Sequence, residues 1–273
     1  MQIGFANSGF VPAPETVLRR GGAWRWRDLR VRYGVLRHPV RGVWLIDTGI
    51  GPQALSAPGR GFALRAYAAA LRYRLCETQA PHAVLDRMGL RPRDVAGVIV
   101  THFHADHVAR LAEFPMARIV AHGPTLARIR AAHDLVNQRH GVFPDLIPQG
   151  LEARLTCVTT LPRVALPFGL GEGADLFGDG SCVVVELPGH AAGHFGIAFA
   201  EAGLLYACDA AWLREGLAEA QAPGLPLRLV LEDRTAAARS AALAAGWQAA
   251  GGQVMLCHDP EPTAFDLPEA GLP

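Results

Sequence analysis

The side chains whose types and spacing most clearly indicate chemistry lie in one short stretch, residues 101–107. It reads Thr-His-Phe-His-Ala-Asp-His, so His102, His104, Asp106 and His107 fall within six residues. Imidazole nitrogen and carboxylate oxygen, without a thiolate, match zinc first, with iron or manganese as substitutes. In an extended segment, residues two apart face the same way, so His102 and His104 can converge on one ion with Asp106 directed into the same cavity. Asp106 and His107 are adjacent, so the chain must turn there for both to bind a second ion.

Regular elements must position this stretch. Residues 95–100 predict a buried strand because they are apolar without polar alternation, which puts the His-rich stretch at the carboxyl edge of a strand. Further strands are predicted at 29–36, 42–46, 117–121, 182–187, 195–200, 204–208 and 253–257. Helices are predicted at 62–77, 82–88, 125–140 and 235–250. Since the chain has no Ser- or Gly-rich linker and no short repeat, we expect a single domain over residues 1–273.

The composition limits the classes of function. The chain has 273 residues, 50% hydrophobic and 19% charged, which is typical of a globular protein. A net charge of +1 gives no broad attraction for nucleic acid and suits a neutral small-molecule substrate. Five cysteines without a CxxC pair suit a reducing compartment, the first residues do not resemble an export signal, and no apolar run is long enough for a membrane span. We therefore expect a cytoplasmic protein.

Further metal-binding residue types follow later in the chain, in a defined order. They are Pro-Gly-His at 188–190, a second Gly-His at 193–194, Cys-Asp at 208–209 and Cys-His-Asp at 257–259. Together with the first stretch, they resemble the metallo-β-lactamase superfamily over nearly the whole chain. Asp-Leu-Phe-Gly-Asp-Gly at 175–180 and the late His-Asp resemble its N-acyl-homoserine lactonase branch in particular. The resemblance implies an α/β fold, the four-layer αββα sandwich of the metallo-β-lactamase fold.

The resemblance also implies a ligand set for two divalent ions. One ion takes His102, His104 and His190, the second takes Asp106, His107 and His258, and Asp209 bridges the two. Each ion then has three ligands that bind it alone and one carboxylate that it shares with the other ion. This leaves room for a bridging hydroxide and a substrate oxygen. His194 is interpreted as a structural or orienting residue rather than a ligand. For Asp47, orienting a ligand histidine and closing a turn both stay open.

Metal-assisted hydrolysis of a lactone or related ester is the chemistry that this arrangement implies. In the mechanism that we expect, a bridging hydroxide would attack the carbonyl carbon, the ions would polarise the carbonyl and stabilise the departing oxygen, and Asp106 would orient the hydroxide. The lactonase branch has an assisting tyrosine three residues after the bridging aspartate, but this chain has Trp212. An indole N–H can donate a hydrogen bond but cannot act as a phenolic acid. The alternatives are a thioester hydrolase similar to glyoxalase II and an iron-dependent oxidoreductase on the same fold.

The surroundings of the site are less defined by the sequence. Arg110 is interpreted as a charge on a helix surface, with an anionic group of the substrate as the alternative partner. Specificity is expected from the segments 24–27, 62–76 and 125–151. The apolar helices also suit a hydrophobic substrate tail or a partner subunit, so a homodimer stays open.

Overall fold

The structure of the protein is a computed structural model that describes residues 1–55, 61–218, 224 and 231–268. Its tertiary contacts divide the chain into two compact units. The first unit comprises Met1–Pro12, Leu29–Thr156 and Pro262–Pro273, and the second comprises Ala13–Asp28 and Cys157–Glu261. Compact units of one chain need not be separate domains, so the single domain over residues 1–273 stays a prediction.

The first unit is built on a seven-stranded sheet. Its strands are β1 (Gln2–Pro14), β2 (Trp26–His38), β3 (Gly42–Ile46), β4 (Arg74–Leu75), β5 (Val95–Ile99), β6 (Arg118–Ala121) and β7 (Leu155–Cys157). Their order across the sheet is β4-β1-β2-β3-β5-β6-β7. The pairs β3·β5 and β5·β6 are parallel. The carboxyl ends of these central strands therefore meet at one edge, and the loops at 47–51 and 101–104 leave from that edge side by side.

The second unit is built on a six-stranded sheet. Its strands are β8 (Arg163–Ala165), β9 (Glu172–Asp175), β10 (Val183–Glu186), β11 (Phe195–Phe199), β12 (Leu204–Cys208) and β13 (Gln253–Leu256), in the order β13-β12-β11-β10-β9-β8. All neighbouring pairs are antiparallel except β12·β13, which is parallel. One face packs on Trp247, whose side chain is fully buried among Val185, Leu205 and Leu256.

Nine α-helices lie among the described residues. They are α1 (Glu15–Leu18), α2 (Pro52–Leu55), α3 (Phe62–Leu71), α4 (Pro81–Arg87), α5 (Ala105–Val108), α6 (Gly123–Ala131), α7 (Asp134–Arg139), α8 (Arg214–Ala218) and α9 (Arg234–Ala249). Short 3-10 helices occupy Glu77–Gln79, Pro92–Asp94, Leu111–Glu113, Pro144–Leu146, Leu151–Arg154, Val158–Thr160 and Pro167–Gly169. Helix α9 begins at an N-cap, Asp233, whose carboxylate accepts the N–H groups of Thr235 and Ala236. None of the helices in these described ranges is both long and apolar enough to cross a bilayer.

The predicted α/β class and the strands predicted around the His-rich stretch are confirmed, because each predicted strand overlaps an observed one. Two helix predictions are wrong in extent. The helix expected over 62–77 ends at Leu71, since Arg72 adopts a left-handed conformation with φ 52° and β4 follows. The helix expected over 125–140 is two helices, because Ala132 and His133 are extended and the His133 side chain caps α7.

Candidate metal centre

The four predicted ligands of the first unit lie on a segment that changes conformation in its middle. The chain bends at Thr101, and His104, whose backbone is extended, is the N-cap of α5. The turn expected at Asp106 and His107 is therefore made by a short helix. The side chains of His102, Asp106 and His107 are buried, and that of His104 is half-buried.

The donor atoms of this segment form two close pairs. Nε2 of His102 and Nδ1 of His104 are 3.0 Å apart. Oδ1 of Asp106 and Nε2 of His107 are 3.9 Å apart. Both separations are compatible with two donors that share an ion at the usual bond length of about 2 Å. The pairs match the predicted division of these residues between two ions, and the division itself stays a prediction.

A buried carboxylate, Asp47, fixes the orientation of two of these imidazoles. Its Oδ2 lies 2.8 Å from His107 Nδ1 and accepts the Thr101 hydroxyl at 2.8 Å, while its Oδ1 accepts the Thr101 N–H at 2.8 Å. Because the hydroxyl proton of Thr101 points to Asp47, its oxygen accepts from His102 Nδ1 at 3.1 Å. Both imidazoles thus carry their proton on Nδ1, which leaves the lone pair of Nε2 for a metal. Between the alternatives left open for Asp47, these contacts favour the orienting role.

Burial and the neighbouring groups act in opposite directions on the charge of Asp47. Complete burial raises the pKa of Asp47 above its usual value, although His107 and the Thr101 groups each favour the charged carboxylate. The backbone at Asp47 has φ 59°, a left-handed conformation that is uncommon outside glycine, although aspartate and asparagine adopt it more often than other residues. A strained residue that is fully buried indicates that the surrounding contacts hold this loop in place.

Arg110 lies close to this loop and not on the surface. Only 2% of the residue is exposed, and its guanidinium donates to Glu77, Glu113 and the carbonyl of Ile50. The interpretation of Arg110 as a surface charge is therefore wrong. Arg110 lies between α5 and the 3-10 helix at Leu111–Glu113, and its partners Glu77 and Ile50 are far away along the chain, so the local sequence could not indicate its burial.

The second unit brings together the three remaining predicted ligands. His190 follows β10, Asp209 follows β12 and His258 follows β13, and the parallel pairing of β12 with β13 puts the last two at one edge of the sheet. Oδ2 of Asp209 lies 3.2 Å from Nε2 of His190 and 3.2 Å from Nε2 of His258. All three residues are buried. One carboxylate oxygen thus lies beside two imidazoles, and the bridging role of Asp209 stays a prediction.

His194, the second histidine of the Gly-His pair, makes different contacts. Its Nδ1 lies 2.6 Å from the carbonyl oxygen of Leu187, and its Nε2 accepts the backbone N–H of Asp209 at 3.2 Å. Both ring nitrogens therefore hold backbone in place, and the N–H of Asp209 is fixed beside its carboxylate. The predicted structural role of His194 is confirmed.

Trp212 packs beside the histidines of this unit. Its ring centroid lies 5.6 Å from that of His258 and 6.3 Å from that of His190, both edge-on. A catalytic role of Trp212 stays a prediction.

The neighbours of His258 act on its pKa in opposite directions. Burial lowers this pKa, but Cys257 and Asp209 raise it by more, so the pKa of His258 lies well above its usual value.

Sequence reasoning missed the small residues that support the ligands. Thr48 donates both its N–H and its hydroxyl to the carbonyl of His107, at 2.8 and 3.0 Å. Gly189 has φ 120°, and a Cβ there would collide with the backbone of Ala237 at the start of α9. The available signals were the Asp-Thr-Gly turn after β3 and the glycine directly before His190.

The donors in each unit fit divalent metal ions. The first unit offers three imidazoles and a carboxylate, and the second offers two imidazoles and a carboxylate, all from buried or half-buried side chains. This mixture of nitrogen and carboxylate oxygen is a typical zinc donor set, and His107 and His102 already carry the orienting hydrogen bonds that such ligands require.

The chain matches the metallo-beta-lactamase superfamily over residues 26–246, and it belongs to that superfamily. A probable metallo-hydrolase of Mycobacterium bovis is 29% identical over 166 residues, which are 58% of this chain and 48% of that protein. The chain thus spans about half the length of the first curated relatives that it matches. The N-acyl homoserine lactonase AttM of Azorhizobium caulinodans is 26% identical over 248 residues, which are 86% of this chain and 83% of that protein.

Solved structures show the same fold. A variant of AiiA from B. thuringiensis, with N-decanoyl-L-homoserine bound at the active site, has a TM-score of 0.68 and 17% identity, and the match covers 95% of this chain and 94% of that one. AidC, a dizinc quorum-quenching lactonase in complex with the product N-hexanoyl-L-homoserine, has a TM-score of 0.62 and 17% identity, with 95% and 88% covered. The metallo-β-lactamase fold predicted from the sequence is confirmed.

Proposed function

We propose that the protein is a metal-dependent hydrolase that holds two divalent ions, zinc first, and cleaves a lactone or a related ester. The observation that carries the proposal is Asp209, whose Oδ2 lies 3.2 Å from an imidazole nitrogen of both His190 and His258. A carboxylate between two imidazoles is the arrangement expected of a ligand shared by two ions.

The proposed assignment of ligands is the one that the family resemblance implies, and the donor pairs are compatible with it. One ion would be held by His102, His104 and His190, the other by Asp106, His107 and His258, with Asp209 between them. When bound, such ions lower the pKa of a coordinated water towards about 7 and polarise the carbonyl of an ester.

The protein's own residues have separate tasks in this proposal. Asp47 keeps His102 and His107 in the tautomer that presents Nε2. His194 fixes the backbone of Asp209. Asp106 is positioned beside His107, where its carboxylate can orient the attacking water. The ring of Trp212 packs edge-on beside His258, and its indole N–H is a group that could donate a hydrogen bond to the substrate.

The relatives support the substrate class. A protein named as an N-acyl homoserine lactonase matches most of this chain, and two similar structures were solved with acyl-homoserine molecules bound. We therefore take acyl-homoserine lactones and simple lactones as the first substrates to test.

Trp212 favours one second candidate, a thioester. A thiolate leaves without protonation more readily than an alkoxide does, so a hydrolase of thioesters has less need of a phenolic acid at this position. An iron-dependent oxidoreductase on the same fold is the third alternative, and the metal content separates it from both hydrolases.

Metal analysis together with a substrate screen tests the proposal. Protein purified without chelators should contain two divalent ions per chain by ICP-MS and should hydrolyse acyl-homoserine lactones faster than matched thioesters. One iron per chain without hydrolysis of any ester would refute the proposal. Faster cleavage of the thioesters would replace the lactone by the second candidate.

Matched histidine variants give the control. His190→Ala removes a proposed ligand, and we expect it to lose at least one ion and more than about 99% of the activity. His82→Ala removes a histidine that is half-exposed and paired with Glu113 at 3.9 Å. It should keep the wild-type metal content and rate. Equal behaviour of the two variants would contradict the assignment of His190.

A further inference from the structure

Arg110 is a buried cation that the proposed metal chemistry does not use. Its side chain is only 3% exposed. Nη2 donates to both oxygens of Glu77 at 2.8 and 2.9 Å, Nη1 donates to Glu113 at 3.1 Å, and Nε donates to the carbonyl of Ile50 at 3.2 Å. A paired guanidinium held by this many hydrogen bonds has one fixed position, and removing a partner leaves an uncompensated buried charge.

The backbone of Arg110 connects this cation to a proposed metal ligand. Its N–H donates to Thr48 Oγ1 at 3.2 Å. The same Thr48 donates its hydroxyl to the carbonyl of His107 at 3.0 Å and its N–H to that carbonyl at 2.8 Å. Thr48 therefore connects the loop after β3 to two residues: it donates to the carbonyl of His107 in α5 and accepts the N–H of Arg110 just after that helix.

Gly51 shows that the loop is shaped around the arginine. A Cβ at this position would lie 2.5 Å from Oε1 of Gln53, 2.6 Å from Cγ of Arg110 and 2.7 Å from Nε of Arg110, so a side chain here would displace the arginine or its neighbour. The same loop begins with Asp47, which has φ 59° and hydrogen-bonds His107. Contacts at 48–51 thus hold a strained residue that orients a ligand.

We propose that Arg110 and Glu77 form a clamp that positions His107, and that the clamp sets the affinity of the ion on the His107 side. Arg110 is a positioning residue in this proposal and does not touch substrate. The inference rests on the proposed two-ion centre. Its contacts reach His107 directly through Thr48, whereas they reach His102 only through Asp47 and Thr101, so the ion at His107 should be weakened more than the other.

Glu77→Gln and Arg110→Met test the clamp through zinc binding. Both variants are loaded with two equivalents of zinc and titrated with a competing chelator, and the zinc retained is measured. Loss of an outer-sphere partner typically weakens a metal site by about 10- to 100-fold. We expect one zinc to dissociate at about tenfold lower chelator concentration than in the wild type, while the other is retained within about threefold. The rate of ester hydrolysis should fall in parallel with the loss of the first zinc.

Glu152→Gln is the matched control. Glu152 is 47% exposed and accepts Arg130 Nε at 2.8 Å, and Glu77 is 51% exposed and accepts Arg110 at the same distance. The control should release both zinc ions as the wild type does. The melting temperatures of the zinc-free and zinc-loaded forms add a second readout, since a merely structural role lowers both equally and the clamp lowers mainly the zinc-loaded one.

Three outcomes overturn the clamp: unchanged release of both ions in the Glu77 and Arg110 variants, equal weakening of both ions, or an equal effect of Glu152→Gln. If Arg110→Met does not fold, Glu77→Gln and Arg110→Lys decide. A wild type that binds only one zinc refutes the two-ion proposal. The clamp is then judged on that ion alone, and equal affinity in the wild type and in Glu77→Gln rejects it.

Discussion

Asp47→Asn changes the electronics of the proposed metal centre with little effect on the backbone. Asp47 accepts three hydrogen bonds at 2.8 Å, two from Thr101 and one from Nδ1 of His107. The residue has φ 59°, and asparagine tolerates this left-handed conformation better than most side chains do. The amide nitrogen is a donor, so it forces His107 to accept at Nδ1 and to carry its proton on Nε2. The reversal passes through Thr101 to His102, because the Thr101 hydroxyl then donates to that ring.

The magnitude follows from these contacts. Each reversed imidazole must return its proton to Nδ1 before Nε2 can bind a metal, and that return breaks the hydrogen bond that the ring accepts at Nδ1 in the variant. The variant also lacks the carboxylate to which the Nδ1–H of His107 would then donate a hydrogen bond. A hydrogen bond to a charged group contributes about 1.5–3 kcal/mol, which corresponds to about a 10- to 100-fold change in affinity. Since one histidine of each proposed ion is affected, we expect both zinc ions to bind about 10- to 100-fold more weakly.

Two measurements check this prediction. Long-range ¹⁵N correlation spectra of the zinc-free protein identify the protonated nitrogen of His107 and His102, and competition with a chelator gives the zinc affinities. Asp86→Asn, on the exposed face of α4, is the control and should change neither. An Asp47→Asn protein that keeps Nδ1 protonated and binds zinc as tightly as the wild type would refute the reasoning.

Three further predictions concern stability and substrate contact. Arg25 holds the pKa of Glu15 at about 2, below the usual 4.5, even though burial raises it, so the carboxylate stabilises the fold fully above about pH 4.5 and loses its effect as the pH falls towards 2. Glu15→Gln should therefore unfold about 1 kcal/mol more easily in urea at pH 7, and a difference that persists at about pH 2 would contradict this assignment. Trp212→Phe should lower kcat/KM about tenfold with unchanged zinc content if the indole N–H contacts substrate, and an unchanged kcat/KM would exclude that contact. Gly97→Ala puts a methyl group into the ring of Trp44 and should lower the free energy of unfolding by about 1–3 kcal/mol in chemical denaturation, whereas wild-type stability would show that Trp44 can move aside.

The local parts of the fold and of the metal centre could be predicted from the sequence. The strand at Val95–Ile99 and the turn at Asp106 and His107 depend on neighbouring residues, so hydrophobic pattern and ligand spacing predict them, although the spacing does not indicate that a helix makes the turn. The kinds of metal ligand could also be predicted from the sequence, because imidazole and carboxylate groups have the same metal preferences in any fold. The family resemblance implied that His190 is a ligand and that His194 is a structural residue. The backbone contacts of His194 agree with its structural role.

Only the tertiary structure decided how these residues are supported. The sequence interpretation put Arg110 on a helix surface, but 33 residues of sequence separate it from Glu77, whose carboxylate allows the guanidinium to be buried. Asp47 is 60 residues from His107, so its choice between closing a turn and orienting an imidazole depended on the parallel pairing of β3 with β5. Sequence pattern reports the preferences of a residue and its neighbours, whereas burial of a charge and the tautomer of a histidine depend on partners that only the folded chain brings within hydrogen-bonding distance.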